Sequence, residues 1–221
     1  MRERIGTRQL ADVRGFYDGI YRSGEYGDGP ELYRLVLERL ELTDSEPVLD
    51  VACGAGSFLE ILGARGVPAI GVELSEEALR RAQRRAPEAL LAVADGAALP
   101  FADDSFSALV CLGSLEHFLD PAAGARELAR VLAPKGRAVV MLPNSYYSGD
   151  IWRVIRTGHG PNHHQIVDRF ATLGEWRELL EGAGLLVLRV DRYDKGKLWK
   201  RLLPFNLAYH FVFTCGVASQ S

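Results

Sequence analysis

Cysteine is scarce in this chain, three residues in 221. Cys53, Cys111 and Cys215 are odd in number and share no paired spacing, and two of them sit in apolar runs. They read as reduced, buried thiols in a cytoplasmic compartment, not as a disulfide framework or a ligand quartet. Excess positive charge is also missing. Twenty-six Lys and Arg against twenty-nine Asp and Glu leave a formal net charge of −3, which offers no bulk attraction to nucleic acid or an anionic membrane. No uninterrupted apolar stretch reaches about 18 residues, and Met1 to Gln9 lack the apolar core of a secretory leader, so neither spanning nor export is expected. Repeats, low-complexity tracts and interdomain linkers are absent from the sequence as well. What is present is 48% hydrophobic and 25% charged residues, the balance of a single globular domain over 1–221 with a sizeable core.

From Pro47 onward, short apolar runs alternate with helix-patterned stretches, the order of parallel strands joined by crossover helices. The strand candidates are Pro47 to Ala52, Pro68 to Glu73, Leu90 to Ala94, Phe106 to Leu112 and Arg137 to Leu142. A helix follows Gly56. Another starts at Ser75, whose hydroxyl can cap it while Glu76 and Glu77 complement its dipole. A third starts near Pro121 and ends at Pro134 and Gly136. Upstream, Pro30 to Leu42 reads as an amphipathic helix, and Phe16 to Gly29, rich in Tyr, Gly and Asp, is a candidate lid. Pro143 to Phe170 carries Gly, Asn, three His and two Tyr without clear periodicity, which is long for a plain loop. Leu173 to Ala183 then reads as a helix, Leu185 to Tyr193 as a strand, and Leu207 to Val217 as a final strand after a basic linker. The fold expected is a doubly wound α/β sheet.

The strongest motif is the run from Val48 to Ser57, a strand entering a turn with Gly54 and Gly56 that opens a helix. Open α/β sheets hold ligands at such strand ends, and Glu73, nineteen residues after Gly54, ends the second strand, where a carboxylate can accept from two vicinal ribose hydroxyls. A nucleoside-containing cofactor is implied. The dinucleotide fingerprint would place Gly or Ala where this chain has Leu59, and Asp50 near the turn would repel a pyrophosphate but attract an amino group or sulfonium. S-adenosylmethionine carries both cations; a nicotinamide-dependent oxidoreductase is the disfavoured alternative.

These residues resemble the class I S-adenosylmethionine-dependent methyltransferases, over Pro47 to about Tyr193. The acidic-x-x-x-G-x-G pattern is Asp50 to Gly56; Ala94-Asp95-Gly96 ends the third strand as the family's next motif does; Leu99-Pro100-Phe101 through Asp104-Ser105-Phe106 looks like its LPF-x-D-x-SF stretch. Leu112-Gly113-Ser114-Leu115-Glu116-His117 matches the segment after the fourth strand, and Leu132-Ala133-Pro134-Lys135-Gly136 the turn before the fifth. The resemblance implies a Rossmann-like, seven-stranded, mostly parallel sheet whose last strand runs antiparallel beside the sixth. It implies S-adenosyl-L-methionine as cofactor, with Asp50 near the methionine amino group, Cys53, Gly54 and Gly56 in the turn, Glu73 and Leu74 at the ribose, Asp95 and Gly96 at the adenine, and Leu112 and Ser114 along the next strand end. It also divides the chain into an N-terminal lid (1–42), a cofactor-binding core (43–143), a substrate-cap insertion (144–171) and a C-terminal helix with the last two strands (172–221). Two departures narrow the acceptor. Gly113 replaces the first Glu of the E-x-x-E-H stretch in ubiquinone-type O-methyltransferases, so no metal is expected, and the Asn/Asp-Pro-Pro-Tyr/Phe motif of amino-methylating enzymes is missing.

Methyl transfer to a hydroxyl needs a base. His117 is the first candidate and His163 or His164 the second, each against the plainer reading of a backbone-satisfied or surface histidine. Glu116 either orients His117 or faces solvent. Tyr17, Tyr21 and Tyr26 are spaced for packing of an amphipathic segment or for a lid contact. The basic linker with Lys195, Lys197, Lys200 and Arg201 is a solvated crossover or a lipid-facing segment. The function expected is methylation of a small-molecule or lipid-linked acceptor, oxygen preferred, with a non-catalytic cofactor-binding module as the other alternative.

Overall fold

Period-two alternation sends successive strand side chains to opposite faces, and here both faces are apolar. Leu49 and Val51 join one buried cluster with Leu109, Cys111, Val140, Leu142, Phe211 and Phe213. Their neighbours Val48, Ala108, Val110, Val139, Met141 and Val212 join a second. A sheet buried on both sides must be covered by helices on both sides, and that is the architecture of the computed structural model, which describes residues 1–24, 29–42, 46–159, 165–195 and 202–218.

The central strands are β2 (Val48–Val51), β3 (Ala69–Glu73), β4 (Leu90–Val93), β5 (Phe106–Leu112) and β6 (Leu132–Pro143), followed by β8 (Leu185–Tyr193) and β9 (His210–Val217). They form one seven-stranded sheet in the order β4-β3-β2-β5-β6-β9-β8. β2 pairs in parallel with both β3 and β5, whereas β9 is antiparallel to β6 and to β8. The chain winds outward through β3 and β4, then returns to the other side of β2, so the order reverses between β2 and β5. That switch point leaves a crevice at the carboxyl ends of the strands.

Helices α2 (Pro30–Leu40), α3 (Ser57–Gly63) and α4 (Glu76–Arg85) supply Leu32, Val36, Phe58, Leu59, Leu62 and Leu79 to one face. Helices α5 (Pro121–Val131) and α7 (Leu173–Gly182) supply Ala125, Leu128, Trp176 and Leu180 to the other. The caps act as their residue types require: Ser75 accepts from Ala78 N, Asp120 accepts from Ala123 N, and Thr172 and Glu175 close a reciprocal capping box. Leu59 is fully buried, and its close contact with the sheet is made possible from the other partner: a Cβ on Gly71 of β3 would fall 2.7 Å from Leu59 Cδ1.

Several elements differ from the sequence expectation. β6 begins at Leu132, straight after α5, because Phe106 pairs with Leu132 across an irregularity that takes up the Pro134–Gly136 turn. The last strand starts at His210, with a short 3-10 turn at Phe205–Leu207 before it. The supposed lid is mostly the helix α1 (Leu10–Ser23), and the long segment after β6 holds the helix α6 (Ser148–Thr157) and the strand β7 (Val167–Phe170). β7 pairs antiparallel with β1 (Arg2–Ile5), which ties the N-terminus to that segment. α1 lies against the start of α4: Asp18 accepts from Ser75 Oγ at 2.6 Å, Arg14 pairs with Glu76, and Arg81 donates to Gly24 O at 2.9 Å.

Candidate active site

A cavity of about 420 Å³ opens in the switch-point crevice. Asp50, Cys53, Gly54, Glu73, Leu74, Asp95, Gly96, Leu112 and Ser114 all line it, together with His117. Gly56 stands outside the lining. It holds φ +80 at the start of α3, and a Cβ there would meet Ala82 Cβ of α4 at 2.9 Å, so its missing side chain serves helix packing. His163, His164 and Tyr26 lie outside the described residues.

The turn after β2 is strained. Ala52 sits at φ +59 although it has a side chain, and Gly54 at φ +55 has Tyr21 over it, with Tyr21 Oη 2.5 Å from where a Cβ would stand. Glu73 holds this turn: Oε2 accepts from Gly54 N at 3.1 Å and Oε1 from Ser75 N at 2.9 Å. A carboxylate has about four acceptor positions, so Glu73 keeps capacity for a ligand hydroxyl. Its pKa is raised by burial, against the pull of those backbone donors. Asp50 is buried too, and burial followed by the nearby Glu73 charge pushes it up to about 8. Asp95 accepts from Ala97 N at 2.9 Å, which fixes the turn after β4.

This donor set fits an adenosyl sulfonium cofactor. A ligand cation beside Asp50 and Glu73 would relieve the penalty that raises both carboxyls. Gly113 holds φ +63 with Met141 Cε 3.0 Å from a Cβ position, so a glutamate there would be strained. Among the described residues no group of His, Cys, Asp and Glu is clustered for a metal.

His117 ends a short 3-10 turn, Leu115–His117, after β5. Its Nδ1 lies 2.8 Å from Val167 O; a carbonyl can only accept, so Nδ1 carries the proton and Nε2 is left with the lone pair. Burial draws its pKa down to about 4, which keeps the ring neutral near pH 7. Glu116 is buried, not solvent-facing, with Oε1 3.7 Å from His117 Nε2. The turn is pinned by buried Arg169 of β7, which donates to the carbonyls of Glu116 at 3.2 Å and Leu119 at 3.1 Å and to that of Phe118. The segment with no readable periodicity thus positions His117 from both sides.

Tyr17 of α1 reaches the same cavity, 6.5 Å between ring centroids from His117, and its pKa is raised well above the ordinary value, chiefly by burial. Lys195 of the basic linker also lines the cavity, as do Gln165 and two residues to which sequence reasoning gave no site role, His210 and Asp168. Of these two, His210 left a trace: it is a polar residue on the strand face of buried Val212.

A family profile described as a methyltransferase domain matches residues 49–140. The demethylmenaquinone methyltransferase of Paenarthrobacter aurescens (strain TC1) is 30% identical over 129 residues, 58% of this chain and 51% of the relative. The enzyme of the same name from Corynebacterium efficiens is 35% identical over 129 residues, 58% of this chain and 55% of its own length. The chain spans about half the length of the curated relatives it matches. In fold it is similar to geranyl diphosphate C-methyltransferase from Streptomyces coelicolor A3(2), solved with S-adenosyl-L-homocysteine, at TM-score 0.72 and 14% identity, covering 95% of this chain and 98% of the other.

Proposed function

We propose that this chain, which carries a class I S-adenosylmethionine-dependent methyltransferase domain, transfers a methyl group to a hydroxyl oxygen of a small-molecule or lipid-linked acceptor. The bound cofactor supplies a methyl group already activated by the sulfonium charge. The protein's tasks are alignment, exclusion of water and removal of one proton. Asp50 would meet the methionine amino group, Glu73 the ribose hydroxyls and Asp95 the adenine amino group. His117 would take the acceptor's hydroxyl proton at Nε2, since Nδ1 is committed to Val167 O. His163 and His164 are the second choice for that base. Residues 1–42 act as the lid, 43–143 as the cofactor-binding core, 144–171 as the cap on the acceptor side and 172–221 as the closing helix and strands.

One observation carries the reading: the proposed cofactor contacts and a histidine with a free Nε2 lone pair share a single cavity at the switch point. The quinone named in the relatives' descriptions supports a small or lipid-linked acceptor over nucleic acid. No helix among the described residues is long and apolar enough to cross a membrane, which accords with the cytoplasmic setting that the three unpaired thiols suggest. The test is S-adenosylhomocysteine formation, followed by mass spectrometry, with a panel of phenols, hydroxyaryl acids and prenylated quinols. Acceptor-dependent product is expected, carrying the methyl on oxygen. Cofactor binding without turnover across the panel would instead favour a non-catalytic module.

A further inference from the structure

The charged residues of the lining are unequal in number. Five carboxyl residues line it, Asp50, Glu73, Asp95, Glu116 and Asp168, whereas Lys195 is the one lysine or arginine among the described lining residues. Asp50 and Glu73 sit on β2 and β3. His210 opens β9, three strand positions beyond β2 in the sheet order, roughly 14 Å at ordinary strand spacing, and Lys195 follows β8, the next strand out. Lys195 Nζ stands 4.9 Å from the centroid of the Tyr209 ring, a cation–π contact that holds the ammonium at the cavity edge.

Two buried polar atoms of the lining have no hydrogen-bond partner: His210 Nδ1, on a ring that feels the Lys195 charge, and Gln165 Oε1, just before β7. Both residues line the cavity. Buried polar atoms are almost always paired, so two orphans on the wall of one cavity point to a ligand that pairs with them. The Gln165 oxygen can only accept and calls for a hydroxyl or N–H. Burial, followed by the Lys195 charge, draws His210 down to about 3, so its ring is neutral and has one N–H to give.

Building on the methyltransferase reading above, we propose that Lys195, His210 and Gln165 form an acceptor subsite that selects a carboxylated hydroxy compound. The carboxylate takes Lys195 and the His210 N–H, and a hydroxyl of the same molecule donates to Gln165 Oε1. An anionic acceptor held at Lys195 and His210 then lies across the sheet from Asp50 and Glu73, the carboxyls that the cationic cofactor would meet, with Glu116 and Asp168 beside His117 between them.

The test uses matched pairs that differ by one carboxylate: 1,4-dihydroxy-2-naphthoate against 1,4-dihydroxynaphthalene under anaerobic conditions, and 2-hydroxybenzoate against phenol. Each is titrated calorimetrically into protein saturated with S-adenosylhomocysteine. At least one acid is expected to bind about tenfold or more tighter than its uncharged partner, the scale of a charge-assisted hydrogen bond. Lys195→Met should bring the pair to within about twofold, Lys195→Arg should keep most of the preference, and both should bind S-adenosylhomocysteine as the wild type does. Lys195 is exposed, so these variants leave the core intact. Equal affinity within both pairs, or a preference that survives Lys195→Met, overturns the subsite. Binding of S-adenosylhomocysteine with none of the probes also overturns the subsite but leaves the methyltransferase reading standing. Failure to bind S-adenosylhomocysteine at all defeats that reading and the subsite with it.

Discussion

With the cofactor's charge beside Asp50, as proposed, cofactor affinity becomes a function of pH. Its carboxyl is held at about 8 by burial and by Glu73, yet the ligand's ammonium and sulfonium favour its ionised form. If only the ionised form binds well, the apparent Kd falls as pH rises towards 8, by about ninefold between pH 6 and 7, equivalent to about 1.3 kcal/mol. Over this window the ligand's own α-amino group stays mainly protonated. The assay is calorimetric titration with S-adenosylmethionine at pH 6 and 7, repeated in buffers of different ionisation enthalpy to count protons. Close to one proton should be released per ligand bound. Asp50→Asn should flatten the dependence and bind more weakly at pH 7. An affinity that does not change between pH 6 and 7, with no proton released, would refute the placement of the cofactor's charge beside Asp50.

The same raised pKa has a stability consequence in the ligand-free protein. A carboxyl moved from 3.8 to about 8 contributes stability that is complete below pH 3.8 and is lost as pH rises through 8, so Asp50→Asn should raise Tm at pH 8.5 by removing a penalty of at most about 6 kcal/mol. His117 has the opposite sign: its folded pKa of about 4 lies below 6.5, so stability is complete above 6.5 and falls as pH drops towards 4. The acid limb of kcat/KM should therefore show no inflection near 6.5, and His117→Gln should lower kcat about a hundredfold or more with cofactor Kd unchanged; an inflection at 6.5 that vanishes in the variant would contradict the anchored, buried ring. Glu73→Ala should weaken S-adenosylmethionine binding about thirtyfold and also cost roughly 1–3 kcal/mol of stability, because Gly54 N and Ser75 N lose their acceptor; denaturant midpoints and calorimetry read the two effects apart. Arg169→Met should leave three carbonyls of the His117 turn without their charged donor and lower kcat more than it raises the cofactor Kd, a split that a purely structural loss would not produce.

How much of this could be read from the sequence depends on how local each signal is. The β2 turn, the Ser75 cap and the Pro121 helix start each rest on residues a few positions apart, and they appear where their patterns put them. β1 has four residues, all exposed, and lacks a buried face, so nothing in Arg2–Ile5 announces a strand until β7 is beside it. α6 was hidden for a related reason: Trp152 and Ile155 are largely exposed, and their pattern points to no core. At the site, Gly54 and Gly56 look alike in sequence, yet one faces the cavity and the other faces Ala82, a distinction made by α4 packing. The proton on His117 Nδ1 depends on Val167, fifty residues away, and the unpartnered Nδ1 of His210 depends on which strands flank β9.

The central claim is that the switch-point cavity binds S-adenosylmethionine, and the most direct measurement is a calorimetric titration of the folded protein, freed of any copurified ligand, with S-adenosylmethionine and separately with NAD. The account predicts one S-adenosylmethionine site per chain with micromolar affinity and no heat with NAD. Binding of NAD, or no binding of S-adenosylmethionine, would contradict it.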